Sequence, residues 1–372
     1  MQHPSLNGTA GNDLLFGNNH DNFMHGLGGN DTMYGMNGAD HLFGGAGNDG
    51  LVAGPGQDTL FGGTGDDYLS GGVGEDWQYG GAGNDTIAAG DPFAIDANHT
   101  WAGAGNDVVS VDSHSGGEAH GGKGFDTLNL SWDAFFAPVG AMNIHIDGPN
   151  AGAFSATTSL TLTSFERLIV NTGSGDDTIA GGAYNDVIFG GLGANILSGF
   201  GGRDLLAYDT GAINTIDGGT GIDTAVYATA LAVTDLSFSA GKWTVHAGAE
   251  GVETLTNVEM VDGGGEGGGR ILLVGGDGFA TIQAAVNAAS NGDTILIGAG
   301  TYNENVTVTN KTLNFAGANF GTGGAGTRVA ESIIHGRVSV NGSNAVDFNG
   351  IEFLADGSSG TTGFGIPALK LQ

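Results

Sequence analysis

One apolar side chain recurs every nine residues in the first part of the chain: Leu15, Met24, Met33, Leu42, Leu51, Leu60, Leu69 and Ile87. Each stands among glycines and polar residues, which predicts a very short strand with a single inward position. The residues between these positions repeat as well. Nine consecutive nonapeptides of the form G-G-x-G-x-D-x-U-x, with U apolar, run in register from Gly8 to Ala88. Clean copies are Gly62-Gly63-Thr64-Gly65-Asp66-Asp67-Tyr68-Leu69-Ser70 and Gly80-Gly81-Ala82-Gly83-Asn84-Asp85-Thr86-Ile87-Ala88. A fixed period of this kind predicts stacked units that bury a core only against their neighbours. With six residues as turn and three as strand, two repeats close one coil, and residues two repeats apart stack at about 4.8 Å. Asp13, Asp31, Asp49, Asp67 and Asp85 then line one edge of the stack, and Asn22, Asp40, Asp58 and Asp76 the other.

The pattern breaks and returns. After a 13-residue insertion around Pro92 it resumes as Ala102-Gly103-Ala104-Gly105-Asn106-Asp107-Val108-Val109-Ser110. It then passes a degenerate coil and reaches Gly121-Gly122-Lys123-Gly124-Phe125-Asp126-Thr127-Leu128-Asn129. Residues 130–171 lose it and carry Trp132, Phe135, Phe136 and Phe165, which predicts short strands of an inserted sheet. The register returns at Thr172-Gly173-Ser174-Gly175-Asp176-Asp177-Thr178-Ile179-Ala180 and holds to Ala207, placing Asp186, Asn195 and Asp204 at the acidic position. One further copy at 218–226 supplies Asp223. A stack of coils leaves its end open, so residues 227–262 are expected to form a strand-rich cap.

These nonapeptides resemble the repeats-in-toxin (RTX) family, the haemolysin-type calcium-binding repeats of secreted bacterial proteins. The resemblance implies an all-β fold, a calcium-dependent parallel β-roll in two blocks (residues 1–129 and 172–226). It also implies calcium between neighbouring turns of one edge, held by the motif carboxylates and by loop carbonyls. The metal residues so implied are Asp13, Asp31, Asp40, Asp49, Asp58, Asp67, Asp76, Asp85, Asp107, Asp126, Asp177, Asp186, Asp204 and Asp223. Calcium suits such loops because it accepts six to eight oxygens in loose geometry. Asn22 and Asn195 replace the aspartate, so weak or absent calcium is expected beside them. His20 and Tyr184 stand at glycine positions, and Gln78 at an apolar one. One buried apolar residue per nine cannot offset the ordering of nine backbones. Region 8–226 is therefore expected to be largely unfolded until metal binds.

Composition adds exclusions. Forty acidic residues against nine basic ones give a formal charge of −31, which disfavours nucleic acid and anionic lipid as partners. There are no cysteines, hence no disulfides or thiolate sites. No apolar run is long enough for a membrane span. The start, Met1-Gln2-His3-Pro4-Ser5, lacks the features of a cleaved signal peptide. The RTX resemblance implies export by a type I system through an uncleaved carboxyl-terminal signal. Residues 365–372 do not form an obvious one, so the expectation is an atypical signal or a piece of a longer chain.

Beyond a glycine-rich linker at 263–270 the pattern changes. Phe279 to Ala289 has helical apolar spacing, followed by Gly292-Asp293-Thr294-Ile295-Leu296-Ile297 and Gly300-Thr301-Tyr302-Asn303-Glu304-Asn305-Val306-Thr307-Val308. Segment 271–372 resembles the opening cap and first coils of pectin-lyase-like right-handed β-helices. That resemblance implies a polysaccharide lyase or uronate epimerase as the alternative to a structural or adhesive extracellular role. Polysaccharide or cell-surface components are the implied partners. Catalysis of that type needs a base and a cation near one another. Arg270, Lys311, Arg328, Arg337, Lys370 and His335 are scattered, and HExxH and GxSxG are absent. His114, Glu118 and His120 are read as a solvated loop.

Overall fold

The structure is a computed structural model and describes residues 5–90, 96–112, 116–131, 143–145, 152–154, 159–208, 213–246, 252–263, 269–318, 320, 330–342 and 345–354. The chain forms two compact units, Met1–Gly191 and Leu192–Gln372, and the described residues are mostly parallel strands with one α-helix among them. The all-β parallel architecture is the one the repeats call for. Trp132, Phe135, Phe136, His114, Pro92 and the 365–372 segment lie outside the described residues.

In the first unit the chain alternates between two parallel sheets. Phe23–Gly28, His41–Ala46, Thr59–Thr64 and Trp77–Ala82 stack in one, with Phe23 opposite His41, His41 opposite Thr59, and Thr59 opposite Trp77. Thr32–Met36, Gly50–Val52, Tyr68–Ser70 and Thr86–Ala89 stack in the other. Each coil therefore consumes two nonapeptides. Met24, Met33, Leu42, Leu51, Leu60, Leu69 and Ile87 all have 0% exposure, so the inward position fills a narrow core of single side chains. Gln78 is equally buried, and its amide donates to the Ala88 carbonyl at 2.9 Å and accepts from the Thr100 hydroxyl at 3.3 Å. A polar pair thus replaces one apolar layer without leaving a group unsatisfied.

Two sequence expectations change here. The insertion around Pro92 leads into a rung of the stack: Ala97–Ala104 pairs in parallel with Trp77–Ala82, His99 facing Trp77. Likewise Glu118 and His120 do not sit in a solvated loop. They lie on strand Gly116–Lys123, paired with Ala97–Ala104. Outward rings hold these irregular coils in register. His25, Phe43, Phe61, Tyr79, Trp101 and His120 form one continuous stack, with centroid spacings of 4.7, 5.0, 4.8, 4.8 and 5.6 Å. Such pairs add to area burial. Within 143–163, Gly152–Phe154 runs antiparallel to both Asn143–His145 and Ser159–Thr163, and the last of these rejoins Gly116–Lys123 in parallel.

In the second unit Leu205–Tyr208, Thr224–Tyr227 and Met260–Asp262 continue as parallel rungs. Leu236–Ser239, Lys242–His246 and Val252–Thr256 form an antiparallel meander whose last strand pairs in parallel with Thr215–Asp217. From Ile271 the coils gain a third face: Ile271–Val274, Thr294–Ile297, Leu313–Gly317 and Val346–Asn349 stack on one side. Gly300–Tyr302, Ser332–His335 and Ile351–Leu354 stack on a second, Val306–Thr309 and Val338–Asn341 on a third. Their core is a broad apolar cluster including Leu272, Phe279, Ile282, Val286, Ile295, Val308, Phe315 and Ile334.

The helix Ile282–Ala288 is too short to persist alone. It buries Ile282, Ala285 and Val286, and the Thr281 hydroxyl accepts the Ala284 N–H at 3.1 Å. The next coil holds both ends. Glu304 accepts the N–H groups of Ile282 and Gln283 at 2.8 and 2.9 Å, and Lys311 donates to the carbonyls of Val286, Asn287 and Ala289. A carboxylate at the amino end and an ammonium at the carboxyl end match the helix dipole.

The turns depend on left-handed backbone at the second and fourth repeat positions. Gly63 and Gly65 have φ of 118° and 117°, and a methyl on Gly65 would collide with the Gly47 carbonyl oxygen. Gly65→Ala is expected to lower the stability of the folded chain by about 1–3 kcal/mol. Met36 stands left-handed at a second position (φ 83°), so Met36→Gly relieves about 1–2 kcal/mol of strain, less the entropy glycine loses on folding. Thermal denaturation of both variants checks the signs; a neutral Gly65→Ala contradicts this account of the turns.

Candidate metal centre

The motif aspartates form ladders along both edges. The Asp49 Oδ1 accepts the N–H of Asp31 at 2.7 Å, Asp67 that of Asp49 at 2.8 Å, and Asp85 that of Asp67 at 2.9 Å. Asp107 and Asp126 extend this column, accepting from Asp85 and Asp107 at 2.8 and 2.9 Å. On the other edge Asp40, Asp58 and Asp76 accept from Asn22, Asp40 and Asp58 at 2.7, 2.7 and 2.9 Å. An opposite ladder runs beside the first. The side chains of Asn12, Asn30, Asn48, Asp66 and Asn84 each accept the N–H of the residue one coil onward. These two ladders satisfy the N–H groups at the motif aspartate and at the residue before it, while the glycine N–H groups of Gly47, Gly65 and Gly83 go to carbonyls of the next coil.

The second oxygen of each aspartate is different. Oδ2 of Asp31, Asp40, Asp49, Asp58, Asp67, Asp76, Asp85, Asp107, Asp126 and Asp223 is buried with no hydrogen-bond partner. Each of these side chains is at least 97% buried. Unpaired buried carboxylate oxygens are costly, and ten in a repeating place need an explanation. Those of Asp31, Asp40, Asp49, Asp67, Asp76, Asp85, Asp126 and Asp223 point at the first glycine of their own repeat. A methyl on Gly44 would lie 2.5 Å from both Asp49 Oδ2 and the Gly62 carbonyl oxygen; on Gly80, 2.5 Å from both Asp85 Oδ2 and the Ala102 carbonyl oxygen. A carboxylate oxygen and a carbonyl of the next coil thus converge within about 5 Å, a span that two ligands of one calcium at about 2.3–2.6 Å can bridge. Glycine keeps that cradle open, because a Cβ on Gly44 or Gly80 would fill it; Ala53 and Ala102 stand at the same place before Asp58 and Asp107.

Burial sets the charge state. Desolvation, partly offset by the N–H bond from the preceding coil, pushes Asp58 up to about 8. The same cause raises Asp76 and Asp85 to about 7, and Asp67, Asp126 and Asp223 to about 6. Asp40, Asp49 and Asp107 are raised as well. Among the described residues no cluster of three or more His, Asp or Glu side chains forms a metal site. A cation here must therefore take much of its shell from backbone carbonyls, which is hard-ion chemistry. The donor set fits calcium.

The predicted residues are not all alike. Asp13 heads its column half-buried, and its Oδ2 accepts from the Thr9 hydroxyl at 2.9 Å. Asp186 has both oxygens taken, by Leu168 N–H at 2.6 Å and Gly182 N–H at 2.7 Å, beside the Tyr184 that replaces a glycine. Asp204 donates its N–H to Asp223 Oδ1 at 2.8 Å, and Asp177 is buried. At Asn22 the amide donates to Asp40 Oδ1 at 2.8 Å, turning a would-be ligand into a partner for its neighbour.

Sequence reading misses five members of the ladders. Asn98 accepts from Asp76 at 2.9 Å, Glu166 from Asp126 at 2.8 Å, Asn214 from Asn195 at 2.9 Å, Glu253 from Asn214 at 3.1 Å, and Glu259 from Asp223 at 2.8 Å. The signal was present in each. An acid or amide stands two places before an inward residue: Asn98 before Thr100, Glu166 before Leu168, Asn214 before Ile216, Glu253 before Leu255 and Glu259 before Val261. No G-G-x-G precedes them, so the motif does not flag them.

Elsewhere, Glu118 is held below the usual carboxylate range by its hydrogen bond to His99, at 3.0 Å, and by His120. The cations considered for catalysis have structural duties: Arg270 pairs with Asp293 at 2.9 Å, and Lys311 closes the helix. His335 Nδ1 lies 2.9 Å from Asn303. Arg328 and Lys370 lie outside the described residues.

A family model, the RTX calcium-binding nonapeptide repeat (4 copies), matches residues 5–33, 16–51, 25–60, 52–87 and 171–206. No curated protein matches the chain. The matched segments carry the loops of Asp13 to Asp85 and of Asp177 to Asp204, while the ladders run on beyond them to Asp107, Asp126 and Asp223. Over residues 5–87 and 171–206 the chain carries RTX calcium-binding nonapeptide repeats.

Proposed function

We propose that the chain is a secreted bacterial protein whose repeat blocks fold on calcium and serve a structural or adhesive role outside the cell. The observation that carries this reading is the row of buried, unpartnered Oδ2 atoms, those of Asp31, Asp40, Asp49, Asp67 and Asp85 each converging with a carbonyl of the neighbouring coil. Their ligands would be the motif aspartates from Asp31 to Asp126 and Asp223, with Asp177 and Asp204 as further candidates. Asp13 and Asp186 are the weakest ones because N–H or O–H groups already occupy their outer oxygens. Calcium would neutralise carboxylates that otherwise repel within a chain of net charge −31. Calcium is scarce inside cells and plentiful outside, so such a chain crosses an exporter unfolded and compacts on arrival.

Three-faced parallel coils behind a helix support reading 271–354 as the start of a pectin-lyase-like β-helix. The structural duties of Arg270 and Lys311 favour a passive role for that segment over lyase or epimerase chemistry. A polysaccharide or cell-surface component is the partner class this reading assigns. Incubation with oligouronates is expected to give binding without unsaturated products; their absorbance band would support the enzymatic alternative.

Two outcomes are expected for the metal. Circular dichroism in chelator is expected to lose most of the β signal and regain it with millimolar calcium, but not with the same magnesium, which demands a stricter octahedron. An unchanged spectrum in chelator contradicts the proposal. The pH dependence follows from the raised carboxylates. Their contribution to the metal-free fold is present below the unfolded value near 3.8 and is lost as pH rises through about 6–8. Chelated protein is therefore expected to gain structure as pH falls from about 8 to about 4. A circular dichroism signal in chelator that does not change over that range contradicts this.

A further inference from the structure

Two short segments that no repeat motif covers share one pattern, Leu-Thr-x-x-Glu, and one geometry. Leu162-Thr163-Ser164-Phe165-Glu166 and Leu255-Thr256-Asn257-Val258-Glu259 each follow antiparallel strands and lead back into a parallel rung. Leu162, Phe165, Leu255 and Val258 are buried, anchoring both segments to the core. Ser164 and Asn257 are left-handed, with φ of 57° and 48°, which no glycine is present to ease. Such strain persists only where the surroundings impose it. The Asn257 amide donates to Asp217 at 2.8 Å and fixes its turn.

The left-handed carbonyls land in a specific place. A methyl on Gly121 would collide with the Ser164 carbonyl oxygen and lie 2.8 Å from Asp126 Oδ2. A methyl on Gly218 would collide with the Asn257 carbonyl oxygen and lie 2.8 Å from Asp223 Oδ2. In an ordinary coil the first residue of the repeat one coil onward supplies that carbonyl, as Gly62 does over Gly44 and Ala102 over Gly80. The acid follows suit. Glu166 Oε2 accepts the Asp126 N–H at 2.8 Å and Glu259 Oε2 the Asp223 N–H at 2.8 Å, the role Oδ1 of the next aspartate has elsewhere. In both, the glutamate N–H and the one after it share the aspartate carbonyl, at 3.0 and 3.1 Å and at 3.3 and 2.9 Å. Asp126 and Asp223 are 0% exposed, and their Oδ2 atoms have no hydrogen-bond partner.

We propose that these two segments complete a terminal calcium site each, formed by Asp126, Glu166 and the Ser164 carbonyl, and by Asp223, Glu259 and the Asn257 carbonyl. They substitute for the missing next G-G-x-G-x-D loop where a repeat block ends. Glutamate is used because a tight left-handed turn replaces the six-residue loop and leaves the carboxylate one methylene further to reach. This proposal rests on the reading of the loops as calcium sites.

The test counts calcium per chain by equilibrium dialysis for the wild type, Glu166→Gln, Glu259→Gln and the double variant. Glutamine keeps the length and an N–H acceptor while removing the charge. Each single variant is expected to lose one ion, or to weaken one site at least about tenfold, and the double variant to lose two. The calcium-induced β signal of the remaining repeats is expected to persist. Wild-type binding of many ions with unchanged number and affinity in the double variant overturns the terminal sites alone. A wild type that takes up no calcium overturns the ligand reading itself. Anomalous diffraction from wild-type crystals in calcium needs no variant: peaks beside Glu166 and Glu259 support the proposal. Filled repeat loops with nothing at those two places overturn it.

Discussion

The whole roll turns on a division of labour within one carboxylate. Oδ1 of the motif aspartate takes a main-chain N–H from the coil before it, which sets the stacking register and draws the side chain out of water. Once drawn in, Oδ2 has no N–H or O–H to accept, and the glycine beneath it leaves a space facing a carbonyl of the coil after. Stacking and metal demand are therefore one interaction. Where aspartate sets the register it creates an anionic site, and an anionic site of that burial is costly until a cation or a proton arrives; Asn98 and Asn214 take the same N–H without the charge.

This constraint divides the stability of the chain unevenly. In the nonapeptide coils each strand buries one side chain, such as Leu51 or Leu69, and the outward rings add only a strip of stacking. The coils from Ile271 onward are a different kind of object. Leu272, Ile282, Val286, Ile295, Val308 and Phe315 pack into a cluster several side chains wide, and the helix that covers it is held by Glu304 and Lys311. That segment has a conventional apolar core and needs no ion to close it.

Much of this was legible because the repeat period is a local signal. Leu42, Asp49 and Gly44 sit at fixed offsets, and their roles follow from those offsets alone. Asn98, Glu118 and His120 were missed for a physical reason: their rungs are specified by partners in neighbouring coils. His99 stacks on Trp77 at 5.2 Å, Trp101 on Tyr79 at 4.8 Å, and Thr100 meets Gln78 in the core. None of those pairs leaves a mark within nine residues. The ends of the columns were hidden similarly. Glu166 and Glu259 do the work of an aspartate from a turn with no glycine signature, and only their places opposite Asp126 and Asp223 reveal it.

The most direct test of the central claim is residue-resolved hydrogen exchange of the intact chain, with and without millimolar calcium. The amides of Asp31, Asp49 and Asp67, which donate to the next carboxylate, are predicted to exchange freely in chelator and to become protected together when calcium is added. Amides within the Leu272–Ile295–Phe315 cluster are predicted to stay protected in both conditions. Full protection of the aspartate amides in chelator at neutral pH would contradict the account, because the stacked carboxylates would then be stable with no ion between them.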